Sequence, residues 1–135
     1  MQRATSMRGE DSVPFKVLLV EDNHGFRRSL ALLLRAIFPT FLLDEAADGI
    51  EALEKVQSFL PQLIFMDIKL PGQNGLEITR EIKTLHPDIN VIILTGYDSP
   101  EYREAARACG AYYFLGKGSS TSQQIQDVVE GLWTK

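Results

Sequence analysis

The chain has a single cysteine, Cys109, so no intrachain disulfide can form, and its thiol usage suits a reducing cytoplasmic setting. No apolar run approaches the ~18 residues a membrane span needs, and no membrane partner is expected. The segment from Met1 to Val13 lacks the apolar stretch of a signal peptide. It reads as a flexible arm ahead of a domain covering Pro14 to Lys135. An excess of basic charge is absent: the net charge of −4 argues against non-specific nucleic-acid binding as the main role. Internal repeats and low-complexity tracts are absent too. What is present is ordinary for a globular protein, 44% apolar and 24% charged residues. The 135 residues fit one domain that buries about two-thirds of its unfolded surface without staples.

From Phe15 onward two periods alternate. Short apolar runs at Val17–Val20, Phe41–Leu43, Leu63–Met66, Val91–Leu94 and Tyr112–Leu115 predict buried strands. Helical stripes separate them. The first is Phe26, Leu30, Leu33, Leu34 and Ile37; the second Ile50, Leu53 and Val56; the third Ile78, Ile82 and Leu85. Tyr102, Ala105, Ala106 and Cys109 make the fourth, and Ile125, Val128, Val129 and Leu132 the fifth. Ser99-Pro100 predicts a helix start, Gly110 a helix end, and Pro39 and Pro87 follow two other helix ends. Five βα units in succession predict an α/β fold with a doubly wound, mainly parallel sheet and right-handed crossovers.

Such sheets bind ligands at the carboxyl ends of their strands. The first run ends in Glu21-Asp22, the third in Asp67 and the fourth in Thr95, and the fifth is followed by Lys117. The second ends in Asp44-Glu45-Ala46, which points to nothing specific. One rim therefore collects three carboxylates, a hydroxyl and an amine. Clustered carboxylates repel each other unless a counter-charge is present. A hard divalent cation such as Mg²⁺ supplies it through oxygen ligands and admits an anion such as phosphate. Thr95 and Lys117 would hold phosphate oxygens, and an aspartate there can act as a nucleophile that becomes an aspartyl phosphate.

Five stretches carry a family resemblance. They are Val17-Leu18-Leu19-Val20-Glu21-Asp22-Asn23, then Ala47-Asp48-Gly49-Ile50-Glu51-Ala52-Leu53, then Asp67-Ile68-Lys69-Leu70-Pro71-Gly72 with Gly75-Leu76-Glu77. Ile93-Leu94-Thr95-Gly96 and Gly110-Ala111-Tyr112-Tyr113-Phe114-Leu115-Gly116-Lys117 complete the set. In this order they resemble the receiver domain of bacterial two-component response regulators, over about Phe15 to Trp133. The resemblance implies a flavodoxin-like (βα)5 sheet of strand order 2-1-3-4-5. It implies that Asp67 is the phosphorylated residue and that Asp22, Asp67 and the Lys69 carbonyl hold Mg²⁺ or Mn²⁺ directly, with Glu21 acting through water. Thr95 and Lys117 match the phosphate contacts, and Phe114 the aromatic that changes rotamer on switching. The implied partner is a sensor histidine kinase or phosphotransfer protein, for which small phosphodonors can substitute.

The same resemblance implies a signalling switch, not a turnover enzyme, whose altered surface spans the fourth helix, fifth strand and fifth helix. Its outputs are a homodimer, a downstream protein or, if the chain is a piece of a longer regulator, a C-terminal DNA-binding domain. The segment around Phe26-Arg27-Arg28-Ser29-Leu30 is similar to receivers fused to helix-turn-helix modules. One departure stands at the site: Gly118 follows Lys117 where the family usually has a cis-proline. A cis bond before glycine costs several kcal/mol, so a trans bond is expected, and Gly116 with Gly118 predicts a mobile loop. That departure alone supports an alternative, a degenerate receiver acting as a phosphorylation-independent interaction module. A haloacid-dehalogenase-type phosphatase would want an aspartate where Lys69 stands, and a dinucleotide carrier a glycine-rich loop where Glu21-Asp22-Asn23-His24-Gly25 stands.

Several residues have plainer readings. His24 is an exposed first-turn residue without a second ligand at metal spacing. His86 suits a helix end. Cys109 is a small buried residue, Tyr97 either faces solvent, the favoured reading, or screens the phosphate, and Phe114 is expected in the core.

Overall fold

The computed structural model describes residues 13–134. Of the arm expected from Met1 to Val13, only the exposed Val13 is among them; residues 1–12 and Lys135 lie outside. Five strands and five helices alternate. They are β1 (Lys16–Val20), α1 (His24–Ile37), β2 (Leu42–Ala46), α2 (Gly49–Phe59), β3 (Leu63–Met66), α3 (Gly75–Leu85), β4 (Asn90–Thr95), α4 (Pro100–Ala108), β5 (Tyr113–Gly116) and α5 (Ser122–Trp133). The strands pair in parallel in the order β2-β1-β3-β4-β5. A two-stranded antiparallel ribbon, Lys69–Leu70 with Gln73–Asn74, is inserted between β3 and α3. The flavodoxin-like α/β fold and its strand order are thus as expected.

The period of two along each strand divides the core. Leu18, Val20, Ile64, Met66, Val91 and Ile93 face α2, α3 and α4 on one side. Val17, Leu19, Phe65, Ile92, Leu94 and Leu115 face α1 and α5 on the other. The three central strands are buried on both faces, which is why they read as continuous apolar runs. Side-chain caps fix how each helix leaves the rim: Asn23, Asp48, Asn74, Ser99 and Thr121 each accept from a first-turn amide. Pro100 opens α4 as expected. Gly110 closes it at φ +94° in a Schellman motif, its amide donating to the Arg107 carbonyl and the next amide to that of Ala106.

Three sequence expectations shift. β2 does not stop at Leu43 but runs through Asp44 and Glu45 to Ala46, pairing with β1 along its length. It is an edge strand, and its two acids are paired with Lys55 and Arg27, so they need not face open water. Ile50, placed in the second helical stripe, is 64% exposed. The stripe that packs is Gly49, Ala52 and Val56, because α3 comes close: a Cβ on Gly49 would overlap the side chains of Ile78 and Gln73. Leu85, assigned to the third stripe, is also exposed. It closes α3 at the amino-terminal rim of the sheet, and the buried stripe is Leu76, Ile78, Thr79 and Ile82.

Candidate functional site

The carboxyl ends of β1, β3, β4 and β5 converge on one rim. Backbone bonds set their heights: the Asp67 amide donates to the Val20 carbonyl (3.1 Å), and the Lys117 amide donates to that of Thr95 (2.8 Å). The Lys117 ammonium reaches back across the rim to Glu21 Oε1 at 2.6 Å and Asp67 Oδ2 at 3.1 Å. Asp67 Oδ1 accepts from the Ile68 amide at 2.7 Å, so both carboxylate oxygens are oriented. Glu21 Oε2 accepts from the Asn23 amide at 2.9 Å. Glu21 and Asp67 are both buried, while Asp22 is exposed at the mouth. Thr95 is fully buried, and its hydroxyl oxygen accepts from the Tyr97 amide at 3.3 Å.

Ligand oxygens of Glu21, Asp22 and Asp67 lie within 4.8 Å of one another. With all three ionised, three negative charges and one ammonium leave a formal −2, which one divalent cation cancels. Every donor is oxygen, the set a hard cation prefers. The residues therefore fit Mg²⁺ or Mn²⁺. Electrostatics reflect the crowding. Burial pushes the Glu21 carboxyl above its ordinary value and Asp67 adds to this, against the Lys117 and Asn23 hydrogen bonds. Burial works against the Lys117 charge, but the hydrogen bonds to Glu21 and Asp67 outweigh it, and its pKa is raised.

Glu21, Asp22, Asp67, Thr95 and Lys117 are brought together as the sequence suggests. Lys69 stands two residues beyond Asp67 at the start of the ribbon, with its ammonium 5.2 Å from the centre of the Tyr97 ring. Phe114 differs from expectation: it is only half-buried. It sits on the sheet face that α4 covers incompletely, and the Arg103 guanidinium carbon lies 4.7 Å from its ring centre. Gly116 also has a different meaning. It is buried in β5, and a Cβ there would stand 2.6 Å from Asp98 Oδ2 and 2.7 Å from Ser119 Oγ, so a side chain would require both of those side chains to shift. No cis peptide occurs among the described residues, so the Lys117–Gly118 bond is trans.

Sequence reasoning missed four contributors. Phe26, assigned to the α1 core stripe, places its ring centre 4.4 Å from the Lys117 ammonium, a cation–π contact beside the site. Arg27 donates to the Glu21 carbonyl (2.6 Å) and to Glu45 Oε1 (2.7 Å), tying the β1 exit to β2. Asp98 and Arg103 pair beside Phe114. Only Phe26 carried a local signal, an aromatic in the first turn after the acidic pair. His24, Tyr97 and Cys109 match their plainer readings: His24 and Tyr97 are exposed, and Cys109 caps α4, buried, its sulfur accepting from Arg80 at 3.5 Å.

Comparison with known proteins agrees with this geometry. The family model described as the response regulator receiver domain matches residues 17–130. Response regulator GacA of Pseudomonas syringae pv. syringae (strain B728a) is 31% identical over 113 residues, 84% of this chain and 53% of GacA. The chain thus spans about half the length of that relative. Sporulation initiation phosphotransferase F of Bacillus subtilis (strain 168) is 32% identical over 117 residues, 85% of this chain and 90% of that protein. Among solved structures, a LuxR-family two-component response regulator from Aurantimonas sp. SI85-9A1 superposes with a TM-score of 0.82 at 26% identity, over 91% of this chain and 88% of that one. A match over this much of the chain, on a sheet whose strand ends gather the acids and the lysine, shows that the chain belongs to the response regulator receiver domain family.

Proposed function

We propose that this domain is a phosphorylation-controlled signalling switch whose phosphoacceptor is Asp67. The observation that carries the reading is Lys117, which bridges Glu21 and Asp67 across separate strand exits and so assembles one charged site. An Asp67 carboxylate oxygen attacks the phosphorus of a phosphohistidine on a sensor kinase or phosphotransfer protein. A P–O bond forms and the P–N bond breaks; the imidazole nitrogen keeps the electron pair and takes up a proton. Asp22, Asp67 and the Lys69 carbonyl would hold Mg²⁺ or Mn²⁺ directly, with Glu21 through water, and the ion would neutralise charge on the transferring group. Lys117 follows the charge, leaving Glu21 for a phosphate oxygen, and the Thr95 hydroxyl is drawn to another. The domain turns over no separate substrate.

Phosphorylation turns the singly charged Asp67 carboxylate into an acyl phosphate of about −1.5 to −2, a gain of up to about one negative charge, and adds three acceptor oxygens. Thr95 and Lys117 end β4 and β5, so moving them alters the surface made by α4, β5 and α5, with Phe114 as the bulky group that changes packing. That surface then binds a second copy, a downstream protein or a DNA-binding output domain. The test is incubation with Mg²⁺ and a small acyl-phosphate donor followed by intact mass. One hydroxylamine-labile phosphate is expected, none on Asp67→Asn, and weaker Mg²⁺ binding by Asp22→Ala in calorimetry. A full phosphate on Asp67→Asn overturns the assignment. Partner binding with no phosphorylation at all would establish the phosphorylation-independent module instead.

A further inference from the structure

Asp98, in the loop between β4 and α4, accepts from Arg103 Nε at 2.7 Å and Nη2 at 3.0 Å, and from Ser119 Oγ at 3.3 Å. It therefore joins the loop that follows Thr95, the body of α4 and the loop that follows Lys117. Its carboxylate lies over Gly116, where a Cβ would stand 2.6 Å from Oδ2. Gly116 is the register partner of Thr95. Asp98 thus occupies the side-chain space that β5 leaves open beside Thr95. Phe114 lies two residues before Gly116, on the same face of the strand. Arg103 reaches both groups: the edge of its guanidinium bonds Asp98, and its carbon lies 4.7 Å from the Phe114 ring centre. A planar guanidinium can bond a carboxylate with two parallel N–H groups along its edge while its face stacks on a ring, a bidentate and planar geometry that a point-charge ammonium lacks.

We propose that Asp98 and Arg103 are positioning residues that hold Phe114 in its half-buried orientation and so weight the switch toward its resting packing. The inference rests on the reading of Phe114 as the switch residue. Inward rotation of Phe114 parts its ring from the Arg103 cation, and the space beside Thr95 clears when the Asp98 carboxylate leaves Gly116. Both ionic side chains are partly in water, 49% exposed for Arg103 and 31% for Asp98. Exposed ion pairs and exposed cation–π contacts each shift an equilibrium by only a few-fold. A restraint of that size biases a two-state switch without locking it.

The test uses the full chain as wild type, Arg103→Ala, Arg103→Lys and Asp98→Asn. Phe114 ring-proton shifts are followed by NMR in Mg²⁺ alone and during titration with beryllofluoride, a phosphoryl mimic, with thermal unfolding as a control for the fold. In Arg103→Ala, the Phe114 resonances are expected to move part way toward their beryllofluoride-bound positions in Mg²⁺ alone. The half-saturating beryllofluoride concentration should fall about threefold. Asp98→Asn should act in the same direction, and Arg103→Lys should fall between wild type and alanine. Unchanged Phe114 shifts and unchanged half-saturation in both Arg103→Ala and Asp98→Asn overturn the restraint alone. Phe114 resonances that stay still when wild type binds the mimic overturn the switch reading and the restraint together.

Discussion

Gly75 lies against the backbone of Asp67: a Cβ added to it would overlap the Asp67 carbonyl oxygen. Its amide donates to the Ile68 carbonyl at 2.7 Å, so the first residue of α3 braces the loop that presents the Asp67 side chain. Nothing here can yield cheaply, because the obstructing atoms belong to the main chain. Gly75→Ala is expected to cost about 1–3 kcal/mol in urea unfolding and to slow phosphoryl acceptance. Gly118→Ala has open space around its Cβ and is expected to change stability by less than about 0.5 kcal/mol.

Lys117→Ala should be destabilised at neutral pH without metal, because Glu21 and Asp67 then face each other uncompensated. The raised Lys117 pKa gives stability that is present below the ordinary lysine value of about 10.4 and lost as pH rises through the folded value. Glu21 has the opposite sense for an acid. Its raised pKa means that ionisation costs stability, a cost that sets in as pH rises from about 4.3 through the folded value. The deficit of Lys117→Ala should therefore narrow as pH falls, and Mg²⁺ should recover part of it. Thermal unfolding at pH 7 and pH 4.5, with and without Mg²⁺, measures both; a deficit that widens on acidification would contradict this account.

The Arg103 hydrogen bonds hold the Asp98 carboxyl below its ordinary value, with Ser119 adding a smaller contribution. A depressed acid contributes stability above the ordinary aspartate value of about 3.9 and loses it as pH falls through the folded value. An NMR titration of the Asp98 carboxyl carbon should give a midpoint below 3.9 in wild type. In Arg103→Ala the midpoint should return toward the ordinary value.

The two faces of α2 offer a packing test. Val56 is buried among core residues and Ile50 is mostly in water. Val56→Ala should cost about 2 kcal/mol, from two lost methyl groups and the cavity they leave. Ile50→Lys should shift stability by no more than about 0.5 kcal/mol. Chemical denaturation of both variants reads the difference.

Much of this was legible in the chain itself. The apolar runs of β1, β3 and β4 mark strands because those strands are buried on both faces, and Ser99-Pro100 and Gly110 mark the ends of α4 because capping is local. The rim residues Glu21, Asp22, Asp67, Thr95 and Lys117 could be collected because a parallel sheet places every strand exit on one side. Periodicity erred where a neighbouring element decided the outcome, as at Ile50, displaced from the packed face by the close approach of α3 to Gly49.

Local sequence by itself determined which segments are strands and helices, how the helices are capped, and which side chains emerge at the strand ends. Only the tertiary structure decided that Lys117 bonds Asp67 fifty positions away, that Gly75 must lack a side chain, and that Arg103 joins Asp98 to Phe114. Propensity, capping and periodicity depend on residues a few positions apart. The distance between two strand exits depends on the order, register and twist with which the strands pair, and these are settled by packing across the whole sheet.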